Sequence, residues 1–282
     1  MILVTGASGT IGRELASQLA RRGPVRLALR DPSRAETFTE IATPERVRFD
    51  FLDPTTFEAA LRGVERVFLL RPPRLARAQR DFGPFVAAMR RAGVSQVVFL
   101  SVRGAEGNPL LPHRQIERLL EKSGTAWTHL RPNDFMQNLA TVHRADIRDD
   151  GEIWAPAGYG RTSFVDVRDV ADAVVRVLTE PDHERRAYTL TGGEAFNMNE
   201  VAALLSDVLG RRITYRNPGI PAFLRHIRAS GGPIALGLVM IGVYTAARLG
   251  WAAAVSPDLE QLIERPPTSL RAFVADYAAV WQ

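Results

Sequence analysis

Ile2-Leu3-Val4-Thr5-Gly6-Ala7-Ser8-Gly9-Thr10-Ile11-Gly12 decides the fold. Ile2-Leu3-Val4 reads as a strand, and an amphipathic helix over Thr10 to Arg22 leaves the glycine turn without a gap. The order strand, turn, helix gives the glycine spacing a meaning it lacks alone. Gly6 permits the tight turn, Gly9 lets a pyrophosphate approach the backbone, and Gly12 lets helix and strand lie close. Ser8, Thr10 and Ile11 complete the turn, where the free N–H groups of the helix face an anion.

Outward from this turn, short apolar runs alternate with amphipathic ones. Strands are expected at Val25–Leu29, Val47–Phe51, Arg66–Leu70, Gln96–Leu100 and Trp127–Leu130. Helices are expected at Ser33–Ile41, Thr55–Leu61, Phe82–Ala92 and His113–Lys122. Nearly continuous apolar strands spaced by helices predict an α/β fold, a doubly wound parallel sheet with helices on both faces. After Pro132 the pattern loosens into a helix over Asn133–Asp146, short strands at Glu152–Ala155 and Ser163–Val165, and a helix over Val167–Leu178. A strand at Ala187–Leu190, a helix over Met198–Leu209, a strand at Ile213–Arg216 and a mainly helical end from Pro218 complete the chain. The expected division is 1–150 for a nucleotide domain, to which later strands return, and 151–282 for a small, mainly helical substrate lobe.

With 282 residues, 46% hydrophobic and 24% charged, the chain is that of a folded globular protein. It has no cysteine, which removes disulfides, thiolate catalysis and cysteine-based metal sites. His113, His129, His143, His183 and His226 form no HxxxH or HExxH pair, so no metal site is expected. The net charge is +5, and Lys122 is the only lysine. The arginines are scattered, so no nucleic-acid surface is expected. No basic segment precedes an apolar core of the signal-peptide kind, and a cytoplasmic location is expected. The uncharged run Gly231 to Ala247 is short for a membrane span and is broken by Gly231, Gly232 and Pro233; a buried or pocket-covering helix pair fits it better.

The second strand ends in Leu29-Arg30-Asp31. An acid here takes the ribose hydroxyls of NAD, whereas an arginine accommodates the 2′-phosphate of NADP. Arg30, with Arg34 nearby, points to NADP, and Asp31 keeps NAD open. Asp50 and Phe51 end the third strand, an acid and an aromatic suited to an adenine ring.

Taken in order, these residues resemble the short-chain dehydrogenase/reductase superfamily, and within it the atypical branch of NmrA-like and quinone-reductase-like proteins. The resemblance covers nearly the whole chain. It continues through Ser101, Ser123-Gly124, Arg131-Pro132-Asn133-Asp134-Phe135-Met136-Gln137-Asn138, Phe164 to Ala171 and Tyr188-Thr189-Leu190-Thr191-Gly192. It implies a Rossmann-like domain with a small C-terminal lobe and NADPH as cofactor. The nicotinamide would lie near Leu70-Arg71-Pro72, Ser101-Val102 and Pro132-Asn133-Asp134-Phe135, each beyond an expected strand. The segment 218–255 is similar to the family's lid. Phe223, Ile234, Leu236, Leu238, Met240, Ile241, Tyr244 and Trp251, with Phe135 and Met136 opposite, would line an apolar substrate pocket.

Most members of the superfamily reduce carbonyls with a Tyr-xxx-Lys pair. Here the residue four before Lys122 is Arg118, and none of the five tyrosines is near. In place of the pair, His113 and Glu117 stand i, i+4 on one helix, with His113 as proton donor and Glu117 orienting it or holding it charged. Ser101, Asn133 and Asn138 are neutral hydrogen-bonding candidates, and a quinone could also take its proton from water. The reading is an NADPH-dependent reductase of a bulky aromatic ketone or quinone, such as a polyketide-tailoring ketoreductase, acting as monomer or homodimer. The alternatives are a dinucleotide-sensing regulator without turnover and an isomerase or epimerase-like use of the fold.

Overall fold

In the computed structural model, residues 1–34 and 44–282 are described. By internal contacts the chain forms two units. One comprises Met1–Pro132, Val167–Leu190 and Gln261–Glu264, the other Asn133–Asp166, Thr191–Glu260 and Arg265–Gln282. The expected boundary at 150 therefore moves to Pro132, and 167–190 leave the expected lobe for the nucleotide unit.

The first unit is a seven-stranded parallel sheet. Its strands are β1 (Ile2–Thr5), β2 (Val25–Leu29), β3 (Glu45–Arg48), β4 (Arg66–Leu70), β5 (Gln96–Leu100), β6 (Ala126–Pro132) and, after one strand of the second unit, β8 (Arg186–Leu190). They lie in the order β3-β2-β1-β4-β5-β6-β8. The first six follow the doubly wound dinucleotide order, whose switch point falls between β1 and β4. Helices α1 (Thr10–Ala20), α2 (Phe57–Leu61), α3 (Gly83–Arg91), α4 (Pro112–Glu121) and α6 (Val167–Thr179) cover the sheet. Alternation along each strand decides which residue meets which layer. Leu3, Val67, Leu69, Val97 and Phe99 pack with Phe57 of α2, Phe85 of α3 and Ile116 of α4. Helices α1 and α6 pack together, and α6 lies against β4, β5 and β6. Strand β3 is offset from the expected Val47–Phe51, because Phe49 and Phe51 turn into a ring cluster with Phe57, Phe82 and Phe85. Of the helix expected over Ser33–Ile41, Pro32–Arg34 form a single 3₁₀ turn and the remainder lies outside the described residues.

The second unit carries α5 (Gln137–Thr141), β7 (Glu152–Trp154), α7 (Met198–Leu209), β9 (Thr214–Arg216), α8 (Ile220–Ala229), α9 (Ile234–Arg248) and α11 (Leu270–Asp276); α10 (Asp258–Ile263) runs from it into the first unit. Strands β7 and β9 pair in parallel. The helix expected from Asn133 begins only at Gln137. Residues before it are extended instead, where Met136 N–H donates to Val165 O and Val165 N–H to Asp134 O. The core of this unit joins Met136, Leu139, Phe164, Phe223, Met240, Tyr244 and Trp281. Among the described residues, no helix is long and apolar enough to cross a membrane.

Candidate functional site

The carboxyl end of β1 is fixed by Thr5, whose buried hydroxyl donates to Phe68 O and accepts from Leu70 N–H. The turn beyond can be built only with glycine at two places. Gly6 has φ +67°, and a Cβ there would stand 2.5 Å from Leu70 Cδ2. A Cβ on Gly12 would stand 2.2 Å from Gly6 O and 2.7 Å from Ala7 Cα. Gly9 caps α1 with no side-chain hydrogen bond, and the first turn holds no acid. The N–H groups that open the helix are thus left for an anion. Ser8, Gly9 and Thr10 are exposed, while Ile11 points into the core. Ser8 O accepts from Arg13 Nε. A glycine cradle beneath an uncapped helix N-terminus fits the pyrophosphate of a dinucleotide.

At the end of β2, Asp31 is committed to its own turn, accepting from Ser33 N–H and Ser33 Oγ at 3.1 and 2.6 Å. Arg30 is exposed and makes no ion pair or hydrogen bond among the described residues. A free guanidinium beside an engaged carboxylate favours a 2′-phosphate over ribose hydroxyls. Arg34 ends the 3₁₀ turn that follows. Asp50 accepts from Leu52 N–H. Phe51, expected to meet an adenine, is instead core, at 7% exposure within the ring cluster.

Leu70 ends β4, and Arg71 follows it. The Arg71 guanidinium donates from Nη1 to Pro72 O, Pro73 O and Leu75 O, and from Nε to His113 Nε2 at 3.3 Å. It has no carboxylate partner among the described residues, and burial lowers its pKa. Burial first, then the Arg71 charge, pushes His113 down to about 4 against a weaker pull from Glu117. His113 is therefore a neutral imidazole whose Nε2 accepts, which leaves Nδ1 as its donor. This corrects the expected role: the ring is neither charged nor positioned by Glu117. Glu117 is fully buried and takes a bidentate pair from Arg131, Nε to Oε1 and Nη2 to Oε2 at 2.9 Å each, with Arg114 Nη1 also on Oε2 at 2.9 Å. Burial alone would raise its pKa. Arg131, Ser101 and His129 outweigh that and hold it at about 2. Ser101 follows β5, its buried hydroxyl beside this carboxylate. Glu121 and His129 complete the cluster, with donor atoms within 4.8 Å of one another. Two arginines already neutralise these carboxylates, so the group is an ion-pair network.

The remaining expected residues lie in the second unit, apart from Pro132, which ends β6. Asn133 directs its amide nitrogen to Ser163 O, Ser163 Oγ and Ala252 O, which makes it a brace between segments. Phe135 bridges to Val165 through the backbone, and Asn138 Nδ2 donates to Asp134 Oδ1 at 2.6 Å. Met136, Phe223, Met240 and Tyr244 come together as expected, but as a closed apolar core at 1–4% exposure. Leu236 and Ile241 pack on that core, whereas Ile234, Leu238 and Trp251, expected to line a pocket with them, are exposed. Two groups escaped the sequence reading. Burial raises Asp134 to about 6 against hydrogen bonds from Asn138 and the Phe135 N–H. His143 Nε2 lies 2.7 Å from Tyr244 Oη, with burial, and secondarily His226, holding the ring neutral at about 4. A carboxylate between Asn133 and Phe135 was a visible signal. The His143–Tyr244 pair, far apart in sequence, gave none.

A family model described as NAD(P)H-binding matches residues 6–181. The chain is 32% identical to an NAD(P)H azoreductase of Xenophilus azovorans over 100% of its own length and 99% of that protein's. It is 36% identical to a (4-alkanoyl-5-oxo-2,5-dihydrofuran-3-yl)methyl phosphate reductase of Streptomyces griseus, covering 99% and 98% of the two chains. The fold superposes on an NADPH-dependent quinone oxidoreductase of Escherichia coli in complex with NADPH, with a TM-score of 0.88, 26% identity and coverage of 98% and 99%.

Proposed function

The chain belongs to the NAD(P)H-binding family and is an NAD(P)H-dependent oxidoreductase; from that premise we propose that it reduces a bulky, flat acceptor, a quinone or an aromatic ketone, with NADPH and without a Tyr-xxx-Lys pair. Bound NADPH supplies a hydride. The protein binds, orients and neutralises charge. The helix N-terminus after Gly9 holds the pyrophosphate, and Arg30 holds the 2′-phosphate. The relatives' azo, quinone and furanone phosphate acceptors support the acceptor class.

The observation that carries this reading is Arg71. It is a cation at the carboxyl end of β4, without a carboxylate among the described residues, braced by three carbonyls and a neutral imidazole. An acceptor oxygen that gains negative charge on reduction would be stabilised by this fixed guanidinium, in a partly dry site, at no reorganisation cost. His113 is a positioning residue that keeps the guanidinium turned. With His113 neutral, the proton comes from water.

The test is NADPH oxidation against simple quinones, polycyclic aromatic ketones and aliphatic ketones, with NADH in parallel. We expect turnover with the first two classes. Arg71→Met is expected to lower kcat about 100-fold while NADPH affinity stays within about twofold. His113→Gln, which can still accept from Arg71, should retain most activity, and His113→Leu should not. Tight NADPH binding with no acceptor turned over would replace this reading with a dinucleotide sensor.

A further inference from the structure

Helix α9 is apolar on both faces, which a surface helix is not. Gly237, Met240, Tyr244 and Ala247 form its inner face. The opposite stripe carries Ile234, Leu238 and Val239, with Leu249 just past the helix end, and Leu238 and Val239 are at 58% and 60% exposure. Two exposed aromatics stand at its C-terminal end. Trp251, 69% exposed, is fixed by its backbone N–H, which donates to Ala246 O. Tyr159, 85% exposed, is held there by its neighbours: a Cβ on Gly158 would touch Arg248, and one on Gly160 would meet Ala247. The segment that carries this face holds charge of one sign, and the carboxylate that meets α8, Asp146, is taken by His226. From Val208 to Pro257 there is no Asp or Glu. Arg225, Arg228 and Arg248 are exposed, and their side chains make no ion pair or hydrogen bond among the described residues.

We propose that the outer face of α9, with Tyr159 and Trp251 at its end and Arg225, Arg228 and Arg248 around it, docks on an anionic lipid bilayer, lying in the interface without crossing it. An exposed aliphatic stripe, amphipathic aromatics and uncompensated cations are the features such a surface recognises. A neutral protein partner has no use for the charge asymmetry. An apolar acceptor partitions into the same layer, so docking brings the enzyme to it. That consequence rests on the reductase reading; the docking does not.

The test is co-sedimentation of the full chain with vesicles of phosphatidylcholine alone and of phosphatidylcholine with phosphatidylglycerol, read without turnover. We expect binding to the anionic vesicles, at least about tenfold weaker binding to neutral ones, and weakening with salt. Leu238→Glu with Val239→Glu is expected to abolish binding, and Arg225→Gln with Arg228→Gln to reduce it about tenfold. NADPH affinity and circular dichroism should stay unchanged in both variants, which separates lost docking from lost folding. Equal binding to both vesicle types, or none to either, overturns the proposal. So does a stable dimer of the free chain that the double glutamate variant splits, which would assign this face to a second copy.

Discussion

Gly12 has no room for a single added carbon. Its Cβ would fall 2.2 Å from Gly6 O, and all three of its nearest neighbours are backbone atoms, so relief requires moving the turn or α1. Gly12→Ala is expected to weaken NADPH binding by at least about tenfold and to lower the melting temperature, measured by nicotinamide fluorescence titration and a thermal scan. Arg30 yields a different prediction, because its exposed side chain makes no ion pair or hydrogen bond among the described residues. Arg30→Ala should cost NADPH about tenfold in affinity, the scale of one charge-assisted hydrogen bond, and leave NADH and the melting temperature unchanged. Equal losses for both dinucleotides would remove Arg30 from the 2′-phosphate. At this scale the glycines were legible because their constraint is local. The state of His113 was not: a neutral ring follows from burial and from Arg71, which comes from another strand.

Helix α4 shows what spacing reveals about an element and what it leaves open. The i, i+4 interval does put His113 and Glu117 on one face, but that face meets two strands. Arg71 beyond β4 takes His113, and Arg131 of β6 takes Glu117. A pair read from one helix is thus divided by its tertiary partners. The Arg131–Glu117 pair ties α4 to β6 in the interior, where removing one member strands a buried charge. Arg131→Met should destabilise the fold by about 3–5 kcal/mol in urea unfolding, and adding Glu117→Gln should recover much of that loss. If the double variant is no better than the single, the pair is not what Arg131 contributes. The strand ends were legible wherever an apolar run met a polar turn, as at Arg66–Leu70 and Gln96–Leu100. The helix expected from Asn133 failed for the opposite reason: a remote segment, Val165, pairs with that backbone and holds it extended. That later strands return to the first unit was expected; which segment returns was not legible, being a matter of which distant strand β8 joins.

Across the molecule, the buried ionisable groups set how stability answers pH, and they do not all pull one way. His113, His129 and His143 stand at about 4 in the fold, each with burial as first cause, against about 6.5 in an unfolded chain. Between those values the unfolded chain binds more protons, so the stability they contribute is present above pH 6.5 and is lost as the pH falls toward 4. Asp134 opposes them. Its carboxyl is raised from 3.8 to about 6, so its contribution is complete below pH 3.8 and is lost as the pH rises through 6. Three groups against one predict a net fall in stability from pH 7 to pH 4.5, with Asp134 shallowing the slope. Urea midpoints at both pH values measure it. Asp134→Asn should steepen the fall, because it removes the opposing group. His129→Phe should flatten it, since that ring is fully buried and stacks on Trp127 at 4.3 Å, a packing that phenylalanine keeps. If both variants fall as steeply as the parent chain, these buried groups are not what couples this fold to protons.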